Sequence, residues 1–135
     1  MTSSEAWKKV GRADYVSFTS YRKDGSPVAT PIWIAPSDDK LYFFSDTDAY
    51  KVKRVRRNPE VTLQPCSIRG TITPGSPIVE GTARILEFDD SPRVRKIVNR
   101  KYWLMGRLGE LAARVARRKE ASIAIEISPR EPVSS

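Results

Sequence analysis

Between residues 15 and 21, Val16, Phe18 and Ser20 alternate with Tyr15, Ser17, Thr19 and Tyr21. A period of two among β-branched and aromatic residues predicts a strand. "KDGS", residues 23–26, predicts a hairpin turn, since Asp24-Gly25 supplies the positive φ it needs. "PVATPIWIA", residues 27–35, predicts the return strand. Pro31 within it cannot donate to a ladder, so that point is expected at an edge, at a bulge, or where backbone faces a ligand. A turn over "PSDDK" leads into a third strand, "KLYFFS". "EVTLQPC" predicts a fourth strand and "IVEGTARILEF" a long fifth one, with Gly81 marking a bulge. The Gly- and Pro-rich "RGTITPGSP" joins them as a loop. "ASIAIEI" reads as the last strand, with Ile123, Ile125 and Ile127 on one face.

The helical pattern is confined to three places. Ser4 to Arg12 predicts a short helix with Ser3 or Ser4 as cap and Gly11 near its end. "AYKVKRVRR" predicts a second, capped by Asp46, Thr47 or Asp48 and ended by Asn58-Pro59. Residues 91–119 form a helical insert, with Ser91 as cap and Pro92 at the first helical position. In it Val94, Ile97, Val98, Leu104, Met105, Leu108, Leu111, Ala112 and Val115 recur every three or four residues, and Gly106 offers a break. Six strands with peripheral helices in 135 residues predict one domain, a small, mainly antiparallel β-barrel. Residues 1–12 are its N-terminal helix and residues 129–135 a loose tail.

Composition then limits the chemistry. The chain has no histidine and one cysteine, Cys66, so it builds no intrachain disulfide, no structural zinc site and no histidine-ligated haem. No clustered acidic loop suggests another metal. A reducing, cytoplasmic setting is expected, with no integral membrane association, since no segment is long and apolar enough. The net charge of +8 favours anionic partners without choosing among them. Five cations fall in the seven positions Lys51 to Arg57, interrupted by Val52 and Val55. Such a run is either a solvated helix face or a grip for phosphate, nucleic acid or membrane. The strands carry no RNA-binding signature and the basic helix is short, so no nucleic acid is expected. A phosphate at a helix N-terminus, with Thr47 adding a hydroxyl and Lys51 a charge, satisfies the same residues.

"TSYRKDGSPVATPIW", "LYFFSDTDAYKVKRVRRNPEVTL" and "VEGTARIL", in this order, together with "RKYWLMGRLG" and a final "IEI", resemble the pyridoxamine 5′-phosphate oxidase-like split β-barrel superfamily. Within it the chain resembles the small actinobacterial branch of coenzyme F420-dependent oxidoreductases. The resemblance runs from Ala13 to Pro129. It implies a homodimer with the cofactor at the subunit interface and a small-molecule substrate. In this superfamily a lysine stands seven positions before an Asn/Asp-Pro pair and binds the cofactor phosphate, and here Lys51 stands seven before Asn58. The oxidase proper carries an arginine just before that lysine, where this chain has Tyr50. The resemblance also places Thr30, Pro31, Ile32 and Trp33 along the tricyclic ring and brings Ser45 to the same corner. The other cations, Lys53, Arg54, Arg56 and Arg57, exceed what one phosphate needs, and suit the polyglutamate tail of F420 better than compact FMN. The expected activity is hydride transfer from reduced F420 to an electron-poor organic acceptor. FMN in place of F420, or a non-catalytic F420 carrier, is the alternative. No catalytic acid is assigned.

Overall fold

Antiparallel pairing organises the chain. In a computed structural model, residues 2–46, 49–86, 91–104, 106 and 122–130 are described. The elements are α1 (Ser3–Arg12), β1 (Tyr15–Tyr21), β2 (Pro27–Ile32), β3 (Ala35–Ser37), β4 (Lys40–Asp46), α2 (Tyr50–Arg57), β5 (Glu60–Cys66), β6 (Val79–Ile85), α3 (Ser91–Leu104) and β7 (Ser122–Pro129). All seven strands lie in one sheet of order β2-β1-β5-β6-β7-β4-β3. The architecture is the expected mainly-β split barrel with peripheral helices, with seven strands where the sequence suggested six.

The additional strand comes from the segment read as one return strand. "PVATPIWIA" breaks after Ile32. Residues up to Ile32 pair with β1, whereas Ala35, Pro36 and Ser37 pair with β4 through a two-residue turn at Asp38-Asp39. Trp33 and Ile34 form the joint between them, and the chain passes there from one outer strand of the sheet to the other. Periodicity could not show this, because the apolar run continues unbroken across the joint.

Two cores lie on opposite faces of the sheet. Inside the curl, Val16 and Phe18 of β1, Leu41 and Phe43 of β4, Val61 and Leu63 of β5, and Ile125 and Ile127 of β7 are buried together. Phe18 and Phe43 meet with ring centroids 4.9 Å apart. Trp7 and Val10 of α1 and Val52 and Val55 of α2 complete this core. Burying side chains of this size stabilises by ~1.5–3 kcal/mol each. The second core is outside β3, β4 and β7, where Val94, Val98 and Tyr102 of α3 cover Ala35, Tyr42, Leu86 and Ala124. The apolar stripe of the helical insert is spent there as far as Tyr102. Trp103 and Leu104 are exposed, and the part of the stripe in residues 105 and 107–119 lies outside the described residues.

Three local expectations are corrected. Thr2, not Ser3 or Ser4, caps α1, its Oγ1 accepting from the Glu5 amide at 3.1 Å. The N-cap of α2 is Ala49, which has no side chain to cap with. Gly81 makes no bulge: it pairs in register with Val61 and with Pro129. Its role is close packing, because a Cβ there would stand 2.5 Å from Ile127 Cγ2. The hairpin turn, by contrast, does use Gly25 at φ 88°, and the Asp24 carboxylate accepts from the Ser26 amide at 2.9 Å and hydroxyl at 2.7 Å.

Candidate functional site

The candidate site is assembled from β2, the end of β4 and the basic helix α2, which packs against β1 and β6. Antiparallel strands set opposite residues on the same face. Thr30 is opposite Phe18, so it points into the curl, as do Val28 and Ile32. On β4, Ser45 follows Phe43 on the inward set and is buried. The Phe18–Phe43 contact therefore links Thr30 and Ser45 through their inner-face neighbours. Thr30 Oγ1 is buried and has no hydrogen-bond partner in the protein. An orphaned buried hydroxyl costs ~1–3 kcal/mol unless something outside the chain satisfies it.

Pro31 explains itself through the ladder. Arg22 donates its amide to Ser26 O at 2.9 Å, which fixes the alternation of bonded and non-bonded pairs along the hairpin. By that alternation Thr30 and Ile32 bond to β1, whereas Pro27, Ala29 and Pro31 turn their backbone outward. β2 is an outer strand, and two of those three outward positions are prolines without an N–H. The edge is thus poor in donors but keeps carbonyls. The loop between β5 and β6 leans over this edge, and a Cβ on Gly70 would stand 3.8 Å from Pro31 Cδ.

The first turn of α2 carries Lys51, half-buried, on the helix's second residue. Val52 and Val55 anchor the helix to the core, which leaves the other face for charge. Lys51 and Arg54 stand three apart and share a stripe. Arg54 Nε donates to Ser20 Oγ at 2.7 Å, and Arg57 donates to the Tyr21 carbonyl at 3.3 Å. Arg22 donates to Ser26 Oγ at 3.3 Å. Burial, then the charges of Arg22 and Arg57, push the Arg54 pKa below its ordinary value. Among the described residues no carboxylate pairs with Arg54 or Arg57. Three guanidiniums are therefore oriented by neutral oxygens at one end of the basic helix.

The sequence-based set divides under this geometry. Ser45, Thr30 and Ile32 belong to the inner side, and Lys51 is half-buried on the first turn of α2. Ile32 is a core residue beside Val16. Pro31 points to the opposite face, with Ser17. Trp33 lies beyond β2, in the joint, stacked on Tyr102 at 4.5 Å and edge-on to Tyr15 at 6.0 Å. The four consecutive residues from Thr30 to Trp33 therefore do not form one surface. Lys53 is exposed and sits over the Tyr50 ring, 5.2 Å from its centroid, off the Lys51 stripe. Thr47 lies outside the described residues. Sequence reasoning missed Arg22 and Ser20. Arg22 flanks the hairpin turn, and only the fold brings that turn to α2. Arg54 and Arg57, surplus cations in the sequence, are both tied down to β1.

Fold and site together define an antiparallel split barrel with a cationic helix packed against β1 and β6. The pyridoxamine 5′-phosphate oxidase family model matches residues 4–131, and the chain belongs to that family. No protein of curated function matches it. Among solved structures it is similar to a conserved hypothetical protein from Mycobacterium tuberculosis, 21% identical, with TM-score 0.69 over 97% of this chain and 82% of that one. It is similar to a FAD-binding protein from Mesorhizobium loti, 18% identical, TM-score 0.64, covering 97% and 90% of the two chains. An F420 reductase is 18% identical, TM-score 0.57, over 93% and 94%. Identities this low establish the shared fold.

Proposed function

We propose that this protein is an oxidoreductase that holds reduced coenzyme F420 and serves hydride transfer to an electron-poor small organic acceptor. The observation that carries the reading is the corner of Arg22, Arg54 and Arg57, which neutral groups orient; among the described residues no carboxylate forms an ion pair with Arg54 or Arg57, while the Asp24 carboxylate acts on Arg22. A phosphate needs only Lys51 and the N-terminal end of α2. A cofactor with one phosphate leaves the far corner unused. A cofactor with a phosphodiester and a chain of carboxylates uses both ends of the helix.

The residues present fit such a group. Lys51 at the N-terminal end of α2 holds the phosphate, with Ser45 near the end of β4. Thr30 Oγ1 has unused hydrogen-bonding capacity on the inner side of the edge. The carbonyls of Ala29 and Pro31 face outward from β2, where a ring edge with N–H donors would meet them. Lys53 stands outside this arrangement. The deazaflavin supplies the hydride when bound, while the chain binds, orients and excludes water. That division of labour suits a protein without histidine. The F420 reductase of the same fold is consistent with it.

The proposed assembly is a homodimer with the cofactor between subunits. Ile68, Ile72 and Ile78, on the loop that leans toward Pro31, are exposed at 63%, 40% and 61%. A second copy would cover them.

The test is titration with F420 and with FMN, followed by Lys51→Ala. F420 is expected to bind the wild type more tightly, and the variant to lose ~1.5–3 kcal/mol of affinity, the range of a hydrogen bond to a charged group. Equal affinity before and after the change removes Lys51 from the site. Tighter binding of FMN favours the flavin reading. Binding without turnover on a panel of enones and quinones reduces the function to cofactor carriage.

A further inference from the structure

Lys101 is the most unusual ion in the molecule. It is a partly buried residue of α3, yet its ammonium meets no carboxylate within bonding distance among the described residues. Its Nζ donates to the Ile34 carbonyl at 2.5 Å and to the Ala13 carbonyl at 2.7 Å. The Tyr102 hydroxyl, next in sequence, donates to the carbonyls of Asp14 at 3.3 Å and Ile34 at 3.4 Å. The Tyr102 ring also stacks on Trp33.

These contacts converge on two points of the backbone. Ala13-Asp14 is the passage from α1 into β1, and Trp33-Ile34 is the joint between β2 and β3. They are the two ends of the β1–β2 hairpin. Trp33 and Ile34 lie outside the strands, between the paired Ile32 and Ala35. A leucine or methionine could fill the space under α3 without the cost of burying a charge. Only a long donor can reach both carbonyls at once.

We propose that Lys101, assisted by Tyr102, is a positioning residue that fixes the base of the β1–β2 hairpin and thereby sets where the Thr30–Ile32 edge stands. This rests on the reading that the edge faces the cofactor. The groups that face Lys101 are the two carbonyls, the Tyr102 ring at 5.4 Å and the Asp14 carboxylate, which draws its pKa back up against the effect of burial.

The experiment compares wild type with Lys101→Met, Lys101→Arg and Tyr102→Phe. Amide exchange is read without ligand, and F420 affinity separately. In Lys101→Met, protection of the segment 27–35 is expected to fall by about 10-fold, while peptides from β5 and β6 keep theirs. If the edge is then in place one-tenth of the time, F420 affinity falls by about the same 10-fold. Lys101→Arg, which keeps the charge and the donors, restores both to within about 3-fold, and Tyr102→Phe shows a smaller loss of both. Unchanged exchange at 27–35, or loosening spread evenly over all peptides, overturns the proposal. So does loosened exchange with undiminished affinity. Should F420 fail to bind the wild type, the functional reading falls, and the exchange data still decide whether Lys101 holds the joint. Should Lys101→Met not fold, Lys101→Arg and Tyr102→Phe decide: exchange at 27–35 equal to wild type in Tyr102→Phe, or equally lost in Lys101→Arg, overturns it.

Discussion

Two corners of this barrel gather cations, and they treat them oppositely. On the outer face of β4, β6 and β7, Lys40 and Arg84 both close on Glu126 Oε1, at 3.4 and 3.0 Å. Tyr42 donates to the other carboxylate oxygen at 3.0 Å, and Arg93 reaches the Tyr42 hydroxyl at 3.3 Å. Glu126 is only 4% exposed. At the α2 corner, Arg22, Arg54 and Arg57 are held equally definitely, but by hydroxyls and a carbonyl. The first arrangement spends its charge within the fold. The second orients its charge, with the Asp24 carboxylate acting on Arg22 and no ion pair on Arg54 or Arg57 among the described residues. Net charge alone distinguishes neither; what distinguishes them is the nature of the acceptor.

The largest expected effect comes from the closed corner. Burial pushes the Glu126 pKa up, but hydrogen bonds from Arg84 and Tyr42 and the charges of Arg84 and Lys40 together hold it below its ordinary value. Glu126→Ala is expected to cost ~2–3 kcal/mol in urea unfolding at neutral pH, with F420 affinity unchanged. Because the folded pKa is depressed, this stabilisation is present above the unfolded pKa and is lost as pH falls through the folded one. The gap between wild type and variant should therefore close in acid. A gap that persists there means that packing, not the ionised carboxylate, was lost.

Lys101 gives a second, smaller measure of the same contrast. Two carbonyls satisfy its donors without cancelling its charge, and burial pushes its pKa from 10.5 down to about 8. Above about pH 8 the folded chain releases a proton that the unfolded chain keeps until 10.5, so unfolding free energy rises with pH in that window. The rise is expected to be ~2 kcal/mol once partial solvent access is allowed for. It is read as the difference between wild type and Lys101→Met, which removes the other alkaline titrations. A flat difference means that the carbonyls compensate the ammonium more fully than neutral oxygens should.

Most of the strand pattern was legible in the sequence because alternation survives wherever one face is buried. The β1 positions Val16 and Phe18, and the β7 positions Ile123, Ile125 and Ile127, followed it. What was not legible was the break at Trp33-Ile34, where an apolar run serves one core on one side and the other core on the next. The same blindness joined Thr30, Pro31, Ile32 and Trp33 into one surface. A local reading sees four neighbours; the joint sends their side chains to three environments. Lys51 was singled out by its distance to Asn58-Pro59, and it stands half-buried on the first turn of α2. The arginine corner was not, because Arg22 and Arg54 are distant in sequence and meet only after the hairpin folds against α2.

The smallest effect, and the sharpest for function, is Arg54→Gln. Its side chain is partly buried and its bond to Ser20 Oγ can be replaced by an amide, so stability should move by no more than ~1 kcal/mol. Relief from repulsion by Arg22 and Arg57 works in the same direction. If the corner holds the carboxylates of a tail, the variant binds F420 about 10-fold more weakly, or ~1.4 kcal/mol, yet binds FMN as the wild type does. The difference should shrink as potassium chloride is raised, since the corner is open to solvent. An equal loss for both cofactors moves the corner onto the shared phosphate. No loss for either would leave these guanidiniums serving only the negative end of the α2 dipole, a role the last turn of a basic helix can fill without a ligand.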